Sequence, residues 1–231
     1  MKIAIIGYGK MGKEVERLAL EKGHVISGIV NKSEDAWPEA DVAIEFSTPE
    51  NCLSNYQKAF DLNMPIVSGT TGWYEHIDEI KDLVEGQNKS FLYASNFSIG
   101  VNLFFKVNRY LAKLMNKHRD YICQIDEIHH TEKKDAPSGT AITIADDIIE
   151  QSETFKSWVN EDTIENNILP ILSHREKWVP GTHVVSYQNE IDALEIKHVA
   201  KNREGFALGA IFAAEWIHGK IGFFTMNDVM L

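Results

Sequence analysis

Short apolar segments alternate with amphipathic segments through the first hundred residues. Residues 3–6 form a continuous apolar run that ends in a glycine, as in a strand that is buried on both faces. From 13 to 22 the apolar positions fall on one helical face, and Gly23 is placed to end that helix. Residues 25–30 then form a second strand, and a strand, helix, strand unit of this length requires parallel pairing.

The same pattern recurs further along this half of the chain. Strands are predicted at 41–46, 66–68 and 91–94, a helix opens at Thr48 and Pro49 as cap and first-turn proline, and another begins at about Trp73. Alternation of buried strands with helices predicts an α/β fold with a Rossmann-like, doubly wound parallel sheet.

After Gly100 the pattern changes. A helix at about 102–115 leads into a strand at 121–129 with too many polar residues to be buried on both faces, and the candidate strands 182–187 and 193–199 follow one another without a helix between them. This predicts a second, smaller α+β domain with a mixed or antiparallel sheet. The interval 151–167 is polar and predicted to be partly irregular.

The last predicted helix, at about 205–218, is rich in alanine and other apolar residues. We expect it to return to the first domain. The predicted domains are therefore residues 1–99 with 204–231, and residues 100–203.

Composition narrows the classes of function. The chain has 231 residues, 44% of them hydrophobic, and a formal net charge of -11, which disfavours nucleic acid as a partner because phosphate backbones are bound mainly through excess Lys and Arg. Cys52 and Cys123 lie far apart without metal-ligand spacing, so buried free thiols are expected. The short apolar run at residues 3–6 cannot form the core of a signal peptide or a membrane span, which favours the cytoplasm.

A glycine-rich loop follows the first strand. Gly7, Tyr8, Gly9, Lys10, Met11 and Gly12 match GxGxxG between a predicted strand and a predicted helix. The glycines suit a tight turn, close approach of the backbone to a pyrophosphate, and close contact of helix with sheet. The amino end of the helix would offer free amide hydrogens to the anion. The loop therefore predicts a dinucleotide cofactor, NADPH or NADH.

The end of the second strand bears on the choice between these cofactors. An acid that binds the ribose hydroxyls is expected there, but the position holds Asn31, followed by Lys32. Asn31 can hydrogen-bond a ribose without repelling a phosphate, and Lys32 can attract one, unless it is simply an exposed turn residue. We expect both cofactors to bind, with some preference for NADPH.

Two further loops follow predicted strands, where an open parallel sheet binds ligands. They contain small and hydroxyl-bearing residues, and ordinary turn chemistry is an equally good explanation of their composition. The candidate cofactor contacts in them are Gly69, Thr70, Thr71, Ala94, Ser95, Asn96 and Phe97.

The segment 127–140 has the highest density of chemically useful side chains. His129 and His130 end a predicted strand, Lys133 follows, and Ser138 is placed to cap a helix whose first residues are Gly139 and Thr140. Adjacent histidines without a third ligand in a recognisable spacing make a poor zinc site, so no metal is expected. Histidine with lysine beside an anion-binding helix start favours acid-base chemistry on an anion, although a solvated turn and a cap would also explain these residues.

The string HHxxKxDAPSGT at 129–140 is similar to the signature of the 4-hydroxy-tetrahydrodipicolinate reductase (dihydrodipicolinate reductase) family. Similarity to that family continues through the glycine loop, 45–47, 69–71, 96–98 with 100–102, and 198–210. The glycine loop is one residue shorter than the family's commonest form, and Asn31 stands where the family usually has an acid. These departures affect cofactor preference and leave the reaction untouched.

The resemblance implies NAD(P)H-dependent reduction of a cyclic imine dicarboxylate in diaminopimelate and lysine biosynthesis. It implies His129 as the acid-base residue, Lys133 as a proton donor, and His130, Gly139 and Thr140 as substrate ligands. It also implies a homotetramer. Two alternatives stay open: another NAD(P)-dependent oxidoreductase acting on a small amino or imino dicarboxylate, and a catalytically silent nucleotide sensor, which would have no need of the histidines and lysine.

Overall fold

The computed structural model describes residues 1–230. Their strands are β1 Lys2–Ile6, β2 Val25–Val30, β3 Val42–Glu45, β4 Ile66–Ser68, β5 Ser90–Tyr93, β6 Ile122–His129, β7 Ser157–Val159, β8 Ile168–Arg175, β9 Gly181–Gln188, β10 Ala193–Ala200 and β11 Gly222–Thr225. Their α-helices are α1 Lys10–Glu21, α2 Pro49–Asp61, α3 Ile77–Gly86, α4 Ile99–Met115, α5 Gly139–Gln151, α6 Glu204–Ile217 and α7 Met226–Val229.

Two compact units divide the chain. The first comprises Met1–Ile99 and the chain from Glu204 onward, and the second comprises Gly100–Arg203. The chain therefore leaves the first unit once and returns to it with α6.

The first unit is built on a six-stranded sheet in the order β11-β5-β4-β3-β1-β2. Every neighbouring pair in this sheet is parallel. The strand order reverses direction at β1, because β2 lies on one side of it and β3 on the other. In sheets of this kind the crevice beyond the carboxyl ends at such a reversal is where ligands bind.

Both faces of this sheet are covered. Ile3 and Ile5 of β1 join one buried apolar cluster with α1 and α6, whereas Ala4 and Ile6 join a second cluster with α2 and α3. Since successive strand residues point to opposite faces, this division explains why β1 is apolar without interruption.

The second unit holds a five-stranded mixed sheet in the order β10-β9-β6-β8-β7. β10 and β6 pair antiparallel with β9, and β8 pairs parallel with β6 and β7. One face packs on α4 and α5 through a third apolar cluster. The opposite face carries exposed apolar side chains, including Ile122 at 66% and Val199 at 51% exposure.

The predicted fold class, a parallel doubly wound sheet with a second mixed sheet, is confirmed. Four elements were not predicted. β7 lies in the interval expected to be irregular, β8 contains Pro170, and β11 with α7 follows the helix expected to be the last element. The parallel sheet therefore has six strands where five were predicted.

The expected state of the cysteines is also confirmed, since Cys52 and Cys123 are buried free thiols. None of the helices within residues 1–230 combines the length and apolar content that crossing a bilayer would need.

Candidate functional site

The glycine loop follows β1 directly and has the geometry that its glycines predict. Gly7 has φ +89°, and a Cβ there would lie 2.2 Å from the Phe46 carbonyl oxygen. A Cβ on Gly12 would lie 2.2 Å from the Gly7 carbonyl oxygen, whereas a Cβ on Gly9 would meet no atom within 4 Å. Two glycines are therefore required by packing, and Gly9 leaves open space in front of the start of α1.

Neighbouring groups hold the loop in place. The Gly7 amide donates to the Val30 carbonyl at 2.8 Å, and the Tyr8 amide donates to Asn31 Oδ1 at 2.9 Å. The Tyr8 hydroxyl donates to Glu16. Lys10 and Met11 form the first turn of α1 with Gly12. Asn31 thus supports the glycine loop with its oxygen.

The turn after β2 contains an acid that the sequence pattern did not single out. Asp35 Oδ2 accepts hydrogen bonds from the Asn31 and Lys32 amides, both at 2.8 Å, and these bonds hold the pKa of Asp35 below its usual value. A cavity of about 740 Å³ opens beside this turn, and its lining includes Gly7, Lys32 and Lys58. Two cations from different elements therefore line one cavity, together with the acids Glu34 and Asp35.

A buried carboxylate organises the loops after β3 and β4. Glu45 is fully buried; its Oε1 accepts from the Ser47 amide at 2.9 Å and from the Thr70 hydroxyl at 2.8 Å. Its Oε2 accepts from the Ser68 hydroxyl at 2.6 Å. Gly69 packs on the Phe46 ring so closely that a Cβ would lie 2.0 Å from it. Thr70 therefore serves the loop's own structure, whereas the neighbouring Thr71 is exposed.

The loop after β5 continues the same edge of the sheet. The Ala94 amide donates to the Ser68 carbonyl at 3.1 Å, and Asn96 Oδ1 accepts from the Ser98 amide at 2.9 Å. Ser95 is exposed. Phe97 is 2% exposed and belongs to the core, so its side chain is a packing element and a ligand could meet only its backbone. The candidate cofactor residues thus share one edge of the first unit, at the carboxyl ends of β1, β2, β4 and β5.

In the second unit, Glu127 lies at the centre of a buried polar cluster. It is fully buried on β6. Its Oε2 accepts from the Ser138 amide at 3.0 Å, and its Oε1 accepts from the Ser173 hydroxyl at 2.7 Å. The Arg175 guanidinium lies 3.5 Å from Oε1. Burial raises the pKa of Glu127, but these hydrogen bonds and the nearby His129 hold it below its usual value, so the carboxylate stays charged.

Two histidines flank the Glu127 carboxylate. His129 Nδ1 lies 3.5 Å from Oε2, and His183 Nε2 lies 3.9 Å from the same oxygen and 3.1 Å from the Ser138 hydroxyl. Burial lowers the pKa of His129, and the negative charge of Glu127 opposes part of this shift. Burial, together with the charge of His129, lowers the pKa of His183 to about 4. Near neutral pH His183 is therefore uncharged.

The loop between β6 and α5 carries the remaining candidates. Lys133 Nζ lies 2.7 Å from Asp135 Oδ2, and the Lys133 amide donates to the His130 carbonyl at 3.1 Å. His130 is partly buried and directly follows the end of β6. The structure therefore brings His129 and Lys133 into one charged neighbourhood and places His130 beside it.

The start of α5 closes this loop. Ser138 caps the helix by accepting from the Ala141 amide at 3.2 Å, as its sequence position predicts. Gly139 is exposed, with nothing within 4 Å of a Cβ there, and Thr140 is partly exposed. The helix therefore begins at an exposed glycine next to the histidine cluster, and a helix start of this kind is suited to a carboxylate.

The cluster also bears on the question of a metal. Glu127, His129 and His183 each place one ligand atom within 4.8 Å of the others, a set that the adjacent histidines alone did not predict. The Glu127 carboxylate already accepts hydrogen bonds from Ser138 and Ser173, and Arg175 faces it. This neighbouring positive charge disfavours a divalent cation, and the geometry suits proton transfer better.

Known proteins share both halves of this architecture. Models of the dihydrodipicolinate reductase N-terminus and C-terminus match residues 26–97 and 100–230. The chain belongs to the dihydrodipicolinate reductase family. The predicted resemblance is thereby confirmed, and the chain is an oxidoreductase.

Curated members of the family match over the whole chain. A 4-hydroxy-tetrahydrodipicolinate reductase of Christiangramia forsetii is 45% identical over 235 residues, covering 100% of this chain and 98% of the relative. One from Staphylococcus saprophyticus is 36% identical over 247 residues, covering 99% and 100%. A solved dihydrodipicolinate reductase from Paenisporosarcina sp. TG-14, bound to dipicolinate, has a TM-score of 0.78 at 22% identity and covers 99% of this chain and 98% of that chain. The structural match supports the fold.

Several residues of this family member's two sites were not predicted. Glu127 stands two residues before His129 on the same face of a predicted strand, so alternation could have suggested it. His183 pairs with Glu127 across β9 and β6, and Ser173 and Arg175 come from the strand that was missed. Their positions depend on strand register, which no local pattern specifies.

Proposed function

We propose that this chain reduces 4-hydroxy-tetrahydrodipicolinate to tetrahydrodipicolinate with NAD(P)H and releases water, a step of diaminopimelate and lysine biosynthesis. The observation that carries the proposal is the buried Glu127, His129 and His183 cluster beside Lys133 and the open start of α5. It places a histidine beside a charged carboxylate, a cation and the exposed start of a helix together, which suits an anionic substrate that must exchange protons.

The first unit is the cofactor domain in this proposal. The open space at Gly9 and the amino end of α1 suit a pyrophosphate. Asn31 and Lys32 lie where the adenosine ribose would bind, and the backbones of Gly69, Thr71 and Ala94–Phe97 line the same edge. When bound, the cofactor supplies a hydride. Lys32 and Lys58 line one cavity together with Glu34 and Asp35, and the two cations support binding of both cofactors with a preference for NADPH.

The second unit is the substrate domain. Lys133, His130 and the Gly139 and Thr140 amides bind the two carboxylates of the substrate. Loss of water removes the ring hydroxyl and an adjacent proton, and the enamine left after hydride addition must regain a proton. His129 and Lys133 are the groups that exchange these protons, with Glu127 charged behind His129.

We propose a cytoplasmic homotetramer as the working form. The open face of the second sheet supports self-association, because it exposes Ile122 and Val199 opposite the helices. Replacing Val199 with Glu should reduce the oligomer size measured by light scattering. A wild-type chain that is monomeric at micromolar concentration would contradict the tetramer.

Spectrophotometric oxidation of NADPH with freshly generated 4-hydroxy-tetrahydrodipicolinate tests the reaction directly. Turnover with this substrate is expected, as is its loss when the substrate-generating enzyme is omitted. A chain that binds NADPH and leaves this substrate unreduced, but oxidises another amino or imino dicarboxylate, would support the alternative oxidoreductase.

A further inference from the structure

The carboxylate of Glu127 has no direct access to a substrate. It is fully buried, and both of its oxygens are already engaged, Oε2 by the Ser138 amide and Oε1 by the Ser173 hydroxyl. A group so enclosed can act on a reaction only through its neighbours. Its neighbour among the candidate catalytic residues is His129, whose Nδ1 lies 3.5 Å from Oε2.

The imidazole of His129 lies between Glu127 and Gly181, and its buried Nδ1 makes no hydrogen bond. Nδ1 faces Glu127, and Nε2 lies against Gly181, where a Cβ would be 3.1 Å from it. In neutral histidine one ring nitrogen carries the proton, and a carboxylate facing Nδ1 favours the proton there. Nε2 is then left to accept or donate a proton.

We propose that Glu127 is a positioning residue of the reductase, which holds the proton of His129 on Nδ1 and so makes Nε2 the nitrogen that exchanges protons with the substrate. This rests on the proposed function. His183, which is uncharged near neutral pH, approaches the same carboxylate oxygen and packs edge-on against His129, with ring centroids 5.1 Å apart.

The charged groups around His129 predict the direction in which its pKa should change when Glu127 is replaced. Glu127 favours the protonated imidazole, and so does Asp135, whereas Lys133, Arg175 and burial oppose it. Removing the carboxylate would leave His129 facing two cations. The pKa of His129 should then fall, since an opposite charge at this distance typically shifts a pKa by about one to three units.

Nuclear magnetic resonance of the full-length chain labelled with ¹⁵N-histidine tests the inference without relying on turnover. His129 is identified by comparison with His129→Gln. In the wild type, neutral His129 should carry its proton on Nδ1. In Glu127→Gln its pKa should fall by about one unit or more, and in the control Glu132→Gln, an exposed acid in the same loop, it should stay in place.

Kinetics supply the second readout. In Glu127→Gln kcat should fall at least about tenfold, and the limb of its pH profile that belongs to His129 should move to lower pH, while the NADPH dissociation constant stays within roughly twofold. A purely structural role for Glu127 would lower kcat without moving that limb.

Two results would overturn the inference. One is a wild-type His129 whose neutral form carries its proton on Nε2, which can be observed even if Glu127→Gln does not fold. The other is a folded Glu127→Gln protein with an unchanged His129 titration. Absence of wild-type turnover would count against the proposed function alone, because the titration is measured without substrate.

Discussion

The hydroxyl of Thr70 donates a 2.8 Å hydrogen bond to the buried carboxylate of Glu45 and accepts one of 2.9 Å from the Ser47 amide. This threonine therefore links the ends of β3 and β4 from within. A buried charge without an adjacent cation depends on such donors, because leaving one of its lone pairs unpaired costs about 1–3 kcal/mol.

Replacing Thr70 with Val should destabilise the protein by about 1–3 kcal/mol. The shape is nearly retained, so the loss reports the missing hydroxyl. Chemical denaturation measures the change, and Thr71→Val, at the exposed neighbouring position, should stay within about 0.5 kcal/mol. Equal effects of the two substitutions would show that the Glu45 network contributes little.

Gly9 and Gly12 should respond to alanine in opposite ways. At Gly9 a Cβ meets no protein atom within 4 Å, so Gly9→Ala should fold normally but occupy the space proposed for the pyrophosphate and raise the NADPH dissociation constant at least about tenfold. At Gly12 the Cβ would clash with the Gly7 carbonyl, so Gly12→Ala should lose about 1–3 kcal/mol of stability or more. Calorimetry and denaturation separate the two effects. Unchanged cofactor affinity in Gly9→Ala would place the pyrophosphate elsewhere.

Lys32 and Lys58 line the same cavity from different elements. If that cavity receives the adenosine phosphate of NADPH, Lys32→Ala and Lys58→Ala should each weaken NADPH binding about three- to tenfold at low salt and affect NADH little, with the difference shrinking as salt is added. Lys81→Ala, exposed on α3, is the matched control for lost charge. An NADH preference above about tenfold in the wild type would contradict the assignment of this cavity.

The prediction of the first unit succeeded where local pattern and tertiary role agree. Residues 25–30 were predicted as a strand and form β2, because a run flanked by a helix-ending glycine and a turn is specified locally. β8 was not predicted because it contains Pro170, and proline removes a hydrogen-bond donor from a β-sheet. Leu169 and Ile171 on either side of it are nevertheless fully buried. The candidate site residues were likewise predicted where a local pattern specifies them. Ser138 was predicted as a helix cap from its position alone, whereas Asp35 was not predicted, because the hydrogen bonds of its turn depend on backbone geometry.

Acid should destabilise the protein through its buried histidines. The pKa of His183 is lowered from 6.5 to about 4, so between these values the unfolded chain binds a proton that the folded chain excludes. Stability is therefore fully present above pH 6.5 and falls as pH decreases through this window. Between about pH 7 and about pH 5 the contribution of His183 should fall by about 1–2 kcal/mol.

Denaturation curves at the two pH values measure this loss. The dependence should be smaller in His183→Gln and retained in His118→Gln, because His118 is exposed. An identical pH dependence in the wild type and His183→Gln would show that His183 titrates normally in the folded protein.

His129 and Lys133 should differ in how their loss divides between turnover and binding. His129 is buried at the end of β6 and is proposed to exchange protons with the substrate. His129→Gln, which keeps the size and polarity of the side chain, should therefore lower kcat by about 10²–10⁴-fold with a modest change in KM. Lys133 is proposed both to bind a carboxylate of the substrate and to exchange protons with it. Lys133→Ala should therefore both lower kcat and raise KM. Because the two residues act on the same protons, the double substitution should cost less than the product of the single effects. Steady-state kinetics with both cofactors measures this, and wild-type rates in the double variant would refute the assignment of either residue to the reaction.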